Sequence, residues 1–489
     1  MKLLSELVKD LEYQSEGGFA ESLEVSSVVY DSRKLQEGCL FVCLEGMNFD
    51  GHDFAGEAAE KGAAAIVIQH DVKLPEEAGT AVLRVEDTRK ALALISAAWF
   101  DYPASRLTTI GLTGTKGKTT STYLIREILT DAGIRTGLIG TIETIIADRH
   151  IPSRNTTPES YVLQQYLHEM AEEGMEAVVM EVSSQALMMH RTDGIFFDYG
   201  VFTNLSPDHV GPGEHKDFED YLSAKRLLFR QCRVGIVNGD DSHTEEILRG
   251  NQCESVERYG LSEGNDLRAS EICLAAEKER LGVDFKVGGL MELEVKFPMP
   301  GKFSVYNALC ALAVCRHFEI GQEDIQRALQ EVRVRGRIEP VHVSDEFTLL
   351  IDYAHNAMAL ESLLTSLREY KPGRLVAVFG CGGNRDRNRR FEMGEVSGRL
   401  ADFTIITSDN PRFEEPEDIM EDIRTGIEKT KGEYIMIADR KEAIAYAISH
   451  GRKGDVIVLA GKGHEDYQEI KGEKHHMDER ELIRDILGR

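Results

Sequence analysis

Short apolar runs of strand length recur along most of the chain, separated by amphipathic stretches of helix length. In the first hundred residues the runs are 39–44, 63–68 and 81–85, with polar helical stretches between them, which predicts a small α/β domain. At the N-terminus, Leu3, Leu4, Leu7, Val8 and Leu11 share one helical face, and Glu6, Lys9 and Asp10 break any signal-peptide core. Asp101-Tyr102-Pro103 stops the apolar helix 91–100 and marks a first boundary. From Leu107 onward, runs at 107–112, 136–142, 177–182, 199–203 and 234–237 alternate with helical segments, the pattern of a mostly parallel sheet with crossover helices. Residues 253–297 change to shorter period-two runs such as Gly282-Val283-Asp284-Phe285-Lys286-Val287, which predict an antiparallel insertion before a helix at 305–318. A second boundary falls near Val334-Arg335-Gly336-Arg337. Strands are then expected at 348–351, 375–379, 403–407, 434–437 and 456–459, a third, Rossmann-like α/β domain. The expected division is 1–101, 102–334 and 335–489.

Composition narrows the class. A formal charge of -27 over 489 residues argues against a nucleic-acid partner, although a local basic pocket for a phosphorylated metabolite is compatible with it. Eight scattered cysteines without a CxxC pair suggest neither a zinc site nor a disulfide framework, and fit a reducing cytoplasm. No apolar run approaches membrane-spanning length.

The run 107–112 leads into Thr113-Gly114-Thr115-Lys116-Gly117-Lys118-Thr119-Thr120 and then an amphipathic stretch at 121–132. Strand, glycine loop and helix make a phosphate cradle: backbone N–H groups and the helix N-terminus favour the anion, Lys118 adds a point charge, and Thr119 is placed to hold Mg²⁺. Five residues rather than four separate Gly111 from Gly117, so the spacing departs from the common phosphate-loop pattern. A plain glycine-rich turn is the alternative.

In parallel sheets ligands sit beyond the carboxyl ends of strands. Those ends read Glu181-Val182-Ser183-Ser184, Asn204-Leu205-Ser206-Pro207-Asp208-His209 and Asn238-Gly239-Asp240 in the central domain. Glu181 is a candidate ligand for a divalent cation, the alternative being a solvated loop carboxylate. In the last domain they read Asp352-Tyr353-Ala354-His355, Gly380-Cys381-Gly382-Gly383-Asn384-Arg385-Asp386, Ser408-Asp409-Asn410-Pro411-Arg412 and Gly461-Lys462-Gly463-His464-Glu465. Arg385 and Arg412 suit carboxylates or phosphates, Asp409 and Glu465 suit an ammonium, and together they describe a pocket for a zwitterion.

These motifs, in this order, resemble the Mur ligase family over almost the whole chain. The resemblance implies an ATP- and Mg²⁺-dependent, amide-forming ligase that adds meso-2,6-diaminopimelate to UDP-N-acetylmuramoyl-L-alanyl-D-glutamate. It implies that Ser32, Met47 and Asn48 hold the uridine end, and that Thr156, Thr157, Ser183 and Arg191 contact the muramoyl-dipeptide. Gly114 to Thr120, with Asn307, Arg337, Asp352 and His355, would serve the nucleotide. Arg385, Asp409, Asn410, Arg412, Gly461 and Glu465 would bind the diaminopimelate, with the Asp-Asn-Pro-Arg run favouring it over lysine. Lys118, Glu181, Lys225 and His355 are the implied catalytic residues. Thr119, Glu181 and a carbamylated Lys225 are the implied metal ligands, although a lysine in a helix is by itself ordinarily a surface residue.

Some positions depart from the family pattern. Gln185 stands for a usual His, Asn384 for Asp and Arg389 for Lys, and the segment 208–215 is longer than usual, leaving the counterpart of its second His open. They keep in view a divergent paralogue and a nucleotide-binding regulator without catalysis, beside a lysine-adding ligase as the alternative within the enzyme class. Lys118, Glu181 and Lys225, all present, speak against the regulator.

Overall fold

A computed structural model describes residues 1–489 apart from 17, 47–48, 76–78, 208–210, 212–213, 278–279 and 489. It divides into two compact units, Met1–Arg268 with Leu309–Gly321, and Ala269–Ala308 with Gln322–Arg489.

The first unit holds two large sheets. The N-terminal one runs in the order Gln14–Glu16, Ala81–Arg84, Ala65–Ile68, Cys39–Val42, Ser27–Val29, and only Gln14–Glu16 is antiparallel to its neighbour. Leu40, Val42, Val67 and Leu83 pack with Leu92 and Ile95 of the helix Thr88–Trp99, while Phe41 and Ile66 face Ala55 and Ala58 on the other side. That helix starts three residues before the expected 91 because Asp87 caps the amides of Arg89 and Lys90 at 2.7 and 3.0 Å. The N-terminal apolar face forms only the short helix Leu4–Leu7, since Lys2–Leu3 pairs instead with Glu24–Val25.

The second sheet of this unit runs Arg149–Pro152, Glu143–Ile146, Thr136–Ile139, Ala177–Glu181, Thr108–Thr113, Phe197–Phe202, Cys232–Asn238, Ser255–Gly260. From Thr136–Ile139 onward all these neighbours are parallel. Burial on both faces explains why its central strands, Thr136–Ile139, Ala177–Glu181 and Thr108–Thr113, read as mostly apolar runs. The expected antiparallel insertion is corrected in its first part. Ser255–Gly260 extends the parallel sheet, with Val234 opposite Ser255 and Asn238 opposite Tyr259. The start of Leu267–Glu277 continues it. Period-two alternation reports a strand with one buried face, whereas direction is set by the connection, here a crossover containing the helix Thr244–Leu248. Antiparallel pairing appears in the second unit, between Arg280–Gly289 and Leu293–Phe297.

The second unit is built on a six-stranded sheet, Glu339–Val341, Thr348–Asp352, Val456–Ala460, Leu375–Phe379, Phe403–Ile406, Glu433–Met436, whose last five strands are parallel. Ala357–Arg368, Asn388–Leu400 and Pro416–Ile427 cover one face, and Arg440–Ser449 with Glu479–Leu487 the other. The chain runs outward through three strands and returns to insert Val456–Ala460, so the carboxyl ends of the four inner strands open on one edge. This is the doubly wound arrangement expected for the last domain. Among the described residues, no helix is long and apolar enough to cross a membrane.

Candidate active site

In the first unit the strand Thr108–Thr113 and the helix Lys118–Asp131 flank the glycine loop. Gly114 and Gly117 have φ of +145° and +86°. A Cβ at Gly114 would lie 2.0 Å from Thr203 Oγ1, so only glycine fits there. The loop is braced from the next strand end: Lys116 N donates to Asn204 Oδ1 at 2.9 Å, while Asn204 Nδ2 and Thr203 Oγ1 donate to Lys116 O at 2.9 and 2.8 Å. Thr115 Oγ1 lies 3.1 Å from the Tyr221 hydroxyl. Lys118 Nζ folds back on the carbonyls of Gly114 and Thr115 at 2.8 and 3.2 Å. Thr119 and Thr120 are buried in the first helical turn.

Glu181 is no solvated carboxylate. It is the last residue of its strand and 1% exposed. Thr119 Oγ1 donates to its two oxygens at 3.0 and 3.1 Å, and Thr141 N and Oγ1 donate at 2.8 and 3.1 Å. A buried carboxylate beside a phosphate-loop hydroxyl is a hard-oxygen donor set, and it fits Mg²⁺ next to a nucleotide phosphate. The ordinary surface place of a helix lysine does not hold for Lys225 either. It lies in the helix Phe218–Arg226, is 1% exposed, and donates to Gly114 O at 2.9 Å. Its Nζ also sits 4.4 Å from the Tyr221 ring centroid. Lys118 and Lys225 thus converge on one carbonyl oxygen.

Around these groups the structure brings together the residues implied for the dipeptide. Thr157 Oγ1 donates to Glu181 O at 2.8 Å and accepts from Ser183 N at 3.1 Å; Arg191 Nη1 donates to Thr157 O at 3.1 Å. Thr156 Oγ1 meets Thr141 Oγ1 at 3.1 Å, and Ser183 caps the helix Ser184–Met188 through Ala186 N. Arg191 Nε, 3.6 Å from Glu159, is buried without a hydrogen-bond partner. Ser32 opens a short 3₁₀ turn capped by Asp31. Met47 and Asn48 lie outside the described residues.

In the second unit, Asp352 ends its strand and accepts from the amides of Ala354 and Ile338 at 2.8 and 2.9 Å. Burial pushes its carboxyl pKa up, against the pull of Arg337. The Arg337 guanidinium lies 4.8 Å from the Tyr353 ring centroid, and His355 and His464 flank the same ring at 4.6 and 4.7 Å. His355 is exposed; even so, desolvation by the surrounding protein, reinforced by the Arg337 charge, lowers its pKa. Its Nδ1 lies 2.8 Å from Tyr353 O, so Nδ1 carries the proton and Nε2 a free lone pair. Asn307 is buried on the helix Lys302–Cys315.

The four loops expected to form a zwitterion pocket do share one sheet edge. Asp409 and Asn410 are buried, and Glu465 Oε2 accepts from Asn410 Nδ2 at 3.0 Å. Arg412, at φ +53°, donates to Glu469 Oε2 at 3.0 Å and Gly383 O at 2.7 Å. Arg385 is exposed beside Gly382 on the same loop. Gly461 lies against Asp409, and a Cβ at Gly383 would meet Pro411 O at 1.9 Å.

The departures find local reasons. Asn384, at φ +51°, suits a left-handed position, and its Oδ1 accepts from Phe413 N at 3.1 Å. Arg389 lies near enough to His355 to lower its pKa further. Gln185 is half-buried on the short helix after Ser183. Residues 208–210 and 212–213 are outside the described set, whereas His215 is buried, 2.8 Å from Ser184 Oγ and 3.0 Å from Asp220 Oδ2. Thr141, Tyr221, Tyr353, Lys462 and Glu469 also belong to these clusters. Thr141, Tyr353 and Lys462 follow strand carboxyl ends, the signal that marked the others; Tyr221 and Glu469 carry none.

Family profiles described as the Mur ligase family catalytic domain, the Mur ligase middle domain and the Mur ligase glutamate ligase domain match residues 24–100, 112–315 and 336–463. A relative from Caldanaerobacter subterraneus subsp. tengcongensis, named UDP-N-acetylmuramoyl-L-alanyl-D-glutamate--2,6-diaminopimelate ligase, is 42% identical over 487 residues, 99% of each chain. A solved structure of an enzyme of that name aligns with a TM-score of 0.73 and 28% identity, over 100% of this chain and 99% of its own. The MurF ligase of Thermotoga maritima, solved in complex with ADP, shares the fold at a TM-score of 0.58 and 19% identity, over 95% of this chain and 96% of its own. With three profiles in register and 42% identity along nearly the whole of both chains, the protein belongs to the Mur ligase family.

Proposed function

We propose that the protein is an ATP-dependent ligase joining meso-2,6-diaminopimelate to the γ-carboxylate of UDP-N-acetylmuramoyl-L-alanyl-D-glutamate, in cytoplasmic peptidoglycan precursor synthesis. The observation that carries the ligase reading is the buried Glu181 carboxylate beside the glycine loop, with Thr119 and Thr141 donating to it. The acceptor reading rests on the charged loops around Asp409 to Arg412 and on the named relatives. Segment 1–101 takes the uridine end through Ser32, Met47 and Asn48; segment 102–334 takes ATP and the dipeptide; segment 335–489 takes the amino acid.

A carboxylate is a poor electrophile until phosphorylated. Its oxygen attacks the γ-phosphorus of ATP and ADP departs; the neutral amine of diaminopimelate then attacks the acyl carbon, phosphate leaves, and the nitrogen gives up one proton to solvent or to the departing phosphate, forming the amide. No covalent nucleophile from the protein is needed. The chain's work is positioning and charge neutralisation. Loop amides and Lys118 bind phosphate oxygens, with Asn307, Arg337 and Asp352 serving the nucleotide. Thr156, Thr157, Ser183 and Arg191 orient the dipeptide. Thr119, Glu181 and a carbamylated Lys225 would hold Mg²⁺, which would polarise the phosphoryl oxygens when bound. A half-buried ammonium, Lys118, and a buried one, Lys225, on the Gly114 carbonyl support the carbamate, which exchanges one of the two positive charges for a negative one. His355, neutral near pH 7, offers Nε2 as an acceptor rather than a charge. Arg385 and Arg412 take carboxylates of the acceptor, and Asp409, Asn410, Gly461 and Glu465 take its ammonium end.

An acceptor panel with ATP and the UDP-dipeptide, read by product mass, tests the whole reading. Product is expected with meso-diaminopimelate. Faster turnover with lysine would overturn the acceptor assignment, and phosphate release that needs neither acceptor nor dipeptide would overturn the ligase.

A further inference from the structure

Lys462 has no role in the mechanism above, yet its side chain is 0% exposed. A buried ammonium is tolerated only where its N–H groups find acceptors. Here they are Glu465 Oε2 at 2.7 Å and Asn410 Oδ1 at 2.9 Å, with Asp409 Oδ1 at 3.9 Å. All three partners belong to the acceptor pocket, and they come from two different loops. The Tyr467 ring centroid, 5.1 Å away, covers the remaining side.

The backbone of those loops is fixed by other means. Arg440, also buried, donates through Nη1 to Ser408 O at 3.1 Å and through Nη2 to Ala460 O at 3.0 Å, the residues just before Asp409 and Gly461. Its own charge is met by Glu479, 2.9 Å from Nε. Loop placement therefore has support independent of Lys462. What remains for it is the orientation of the side chains. Two carboxylates against one ammonium leave one negative charge in the pocket, the complement of an incoming ammonium.

We propose that Lys462 is a positioning residue for the amino-acid acceptor: it aims the Asp409 and Glu465 carboxylates and the Asn410 amide at the acceptor without touching it. The proposal rests on the acceptor-pocket reading above. Removing Lys462 would leave both carboxylates free to turn and uncompensated, so acceptor affinity falls while the phosphate loop, in the other unit, is untouched.

The test measures initial rates of the full-length protein with meso-diaminopimelate varied at saturating ATP and UDP-dipeptide. K462M should raise the KM for diaminopimelate at least tenfold, with the KM for ATP within twofold and kcat within threefold of the parent. K462Q, which keeps an N–H donor but no charge, should lie between. Since loss of one partner from a buried pair endangers folding, the double variant K462M/E465Q, which removes the pair together, provides a second soluble form; as Glu465 itself binds the acceptor, it is compared with E465Q, over which loss of Lys462 should raise the acceptor KM further through Asp409 and Asn410. A fall in kcat with the acceptor KM unmoved, or an equal rise in both KM values, would mark a merely structural lysine and overturn the proposal. D409N and E465Q are measured alongside. If neither moves the acceptor KM, the pocket reading fails and the proposal with it; if they move it and the Lys462 variants do not, the proposal alone fails.

Discussion

The carboxylate of Glu181 offers the sharpest test of the ligase reading. Three donor groups converge on it, Thr119 Oγ1, Thr141 N and Thr141 Oγ1, at 2.8 to 3.1 Å. In E181Q the shape persists and the charge is lost. A hydrogen bond to a charged group contributes about 1 kcal/mol more than a neutral one, so three donors lose roughly 3 kcal/mol; relief from burying a charge offsets part of this. The ligand-free protein should therefore lose only about 1–2 kcal/mol. The effect on a bound divalent cation is larger, because stripping one partner from a buried charge pair costs about 3–5 kcal/mol, or roughly two to four decades in rate. Thermal unfolding with and without Mg·ATP, together with ADP release in the presence of both substrates, separates the two effects. The expected outcome is near-parental stability alone, no added stabilisation by Mg·ATP, and turnover down at least a hundredfold. Turnover within threefold of the parent would refute Glu181 as a metal ligand, and a loss of activity matched by unfolding would reduce it to a structural carboxylate.

G114A forces a Cβ to 2.0 Å from Thr203 Oγ1 at a φ of +145°; ATP affinity should fall at least tenfold by calorimetry, and G114A/T203A should recover part of it by removing the clash. Incubation with ¹³C-bicarbonate should give a carbamate resonance that is missing in K225R, and an unlabelled Lys225 in the active protein would leave it an ammonium on the Gly114 carbonyl. R412M removes the charge-assisted bonds expected for the second carboxylate, so the KM for diaminopimelate should rise about 10–100-fold and that for lysine far less. His464, with Nδ1 buried and unpartnered, has its pKa lowered by desolvation and the nearby arginines from 6.5 to about 3. The unfolded chain thus takes up a proton below pH 6.5 that the folded one refuses; the stability of the parent minus that of H464N should fall as pH drops from 6.5 toward 3, and a flat difference would contradict the shift.

The expected strands of the last domain lie within a residue or two of those observed, because double-sided burial writes the inner ones, Leu375–Phe379 and Val456–Ala460 above all, as apolar runs. Strand direction in 253–297 was not legible, since alternation carries burial but not the path of the connection. The N-terminal apolar face looked helical and mostly is not, because pairing with Glu24–Val25 claims the backbone of Lys2–Leu3. In the site, residues following strand ends were readable by position. The burial of Glu181 and Lys225 was not, as each is set by groups some forty and more than a hundred residues away, Thr141 and Gly114. The same holds for Glu469, which meets Arg412 from a separate hairpin.

The contact of Gly383 with Pro411 O, where even a methyl group has no room, limits how the acceptor pocket can diverge. Loops locked backbone to backbone cannot lengthen or exchange without parting. New acceptor preferences in such a scaffold are reachable through single side-chain replacements at positions such as Arg412, whereas transplanted loops should yield insoluble chains. A library aimed at altered wall chemistry is best built from point changes on an unaltered loop frame.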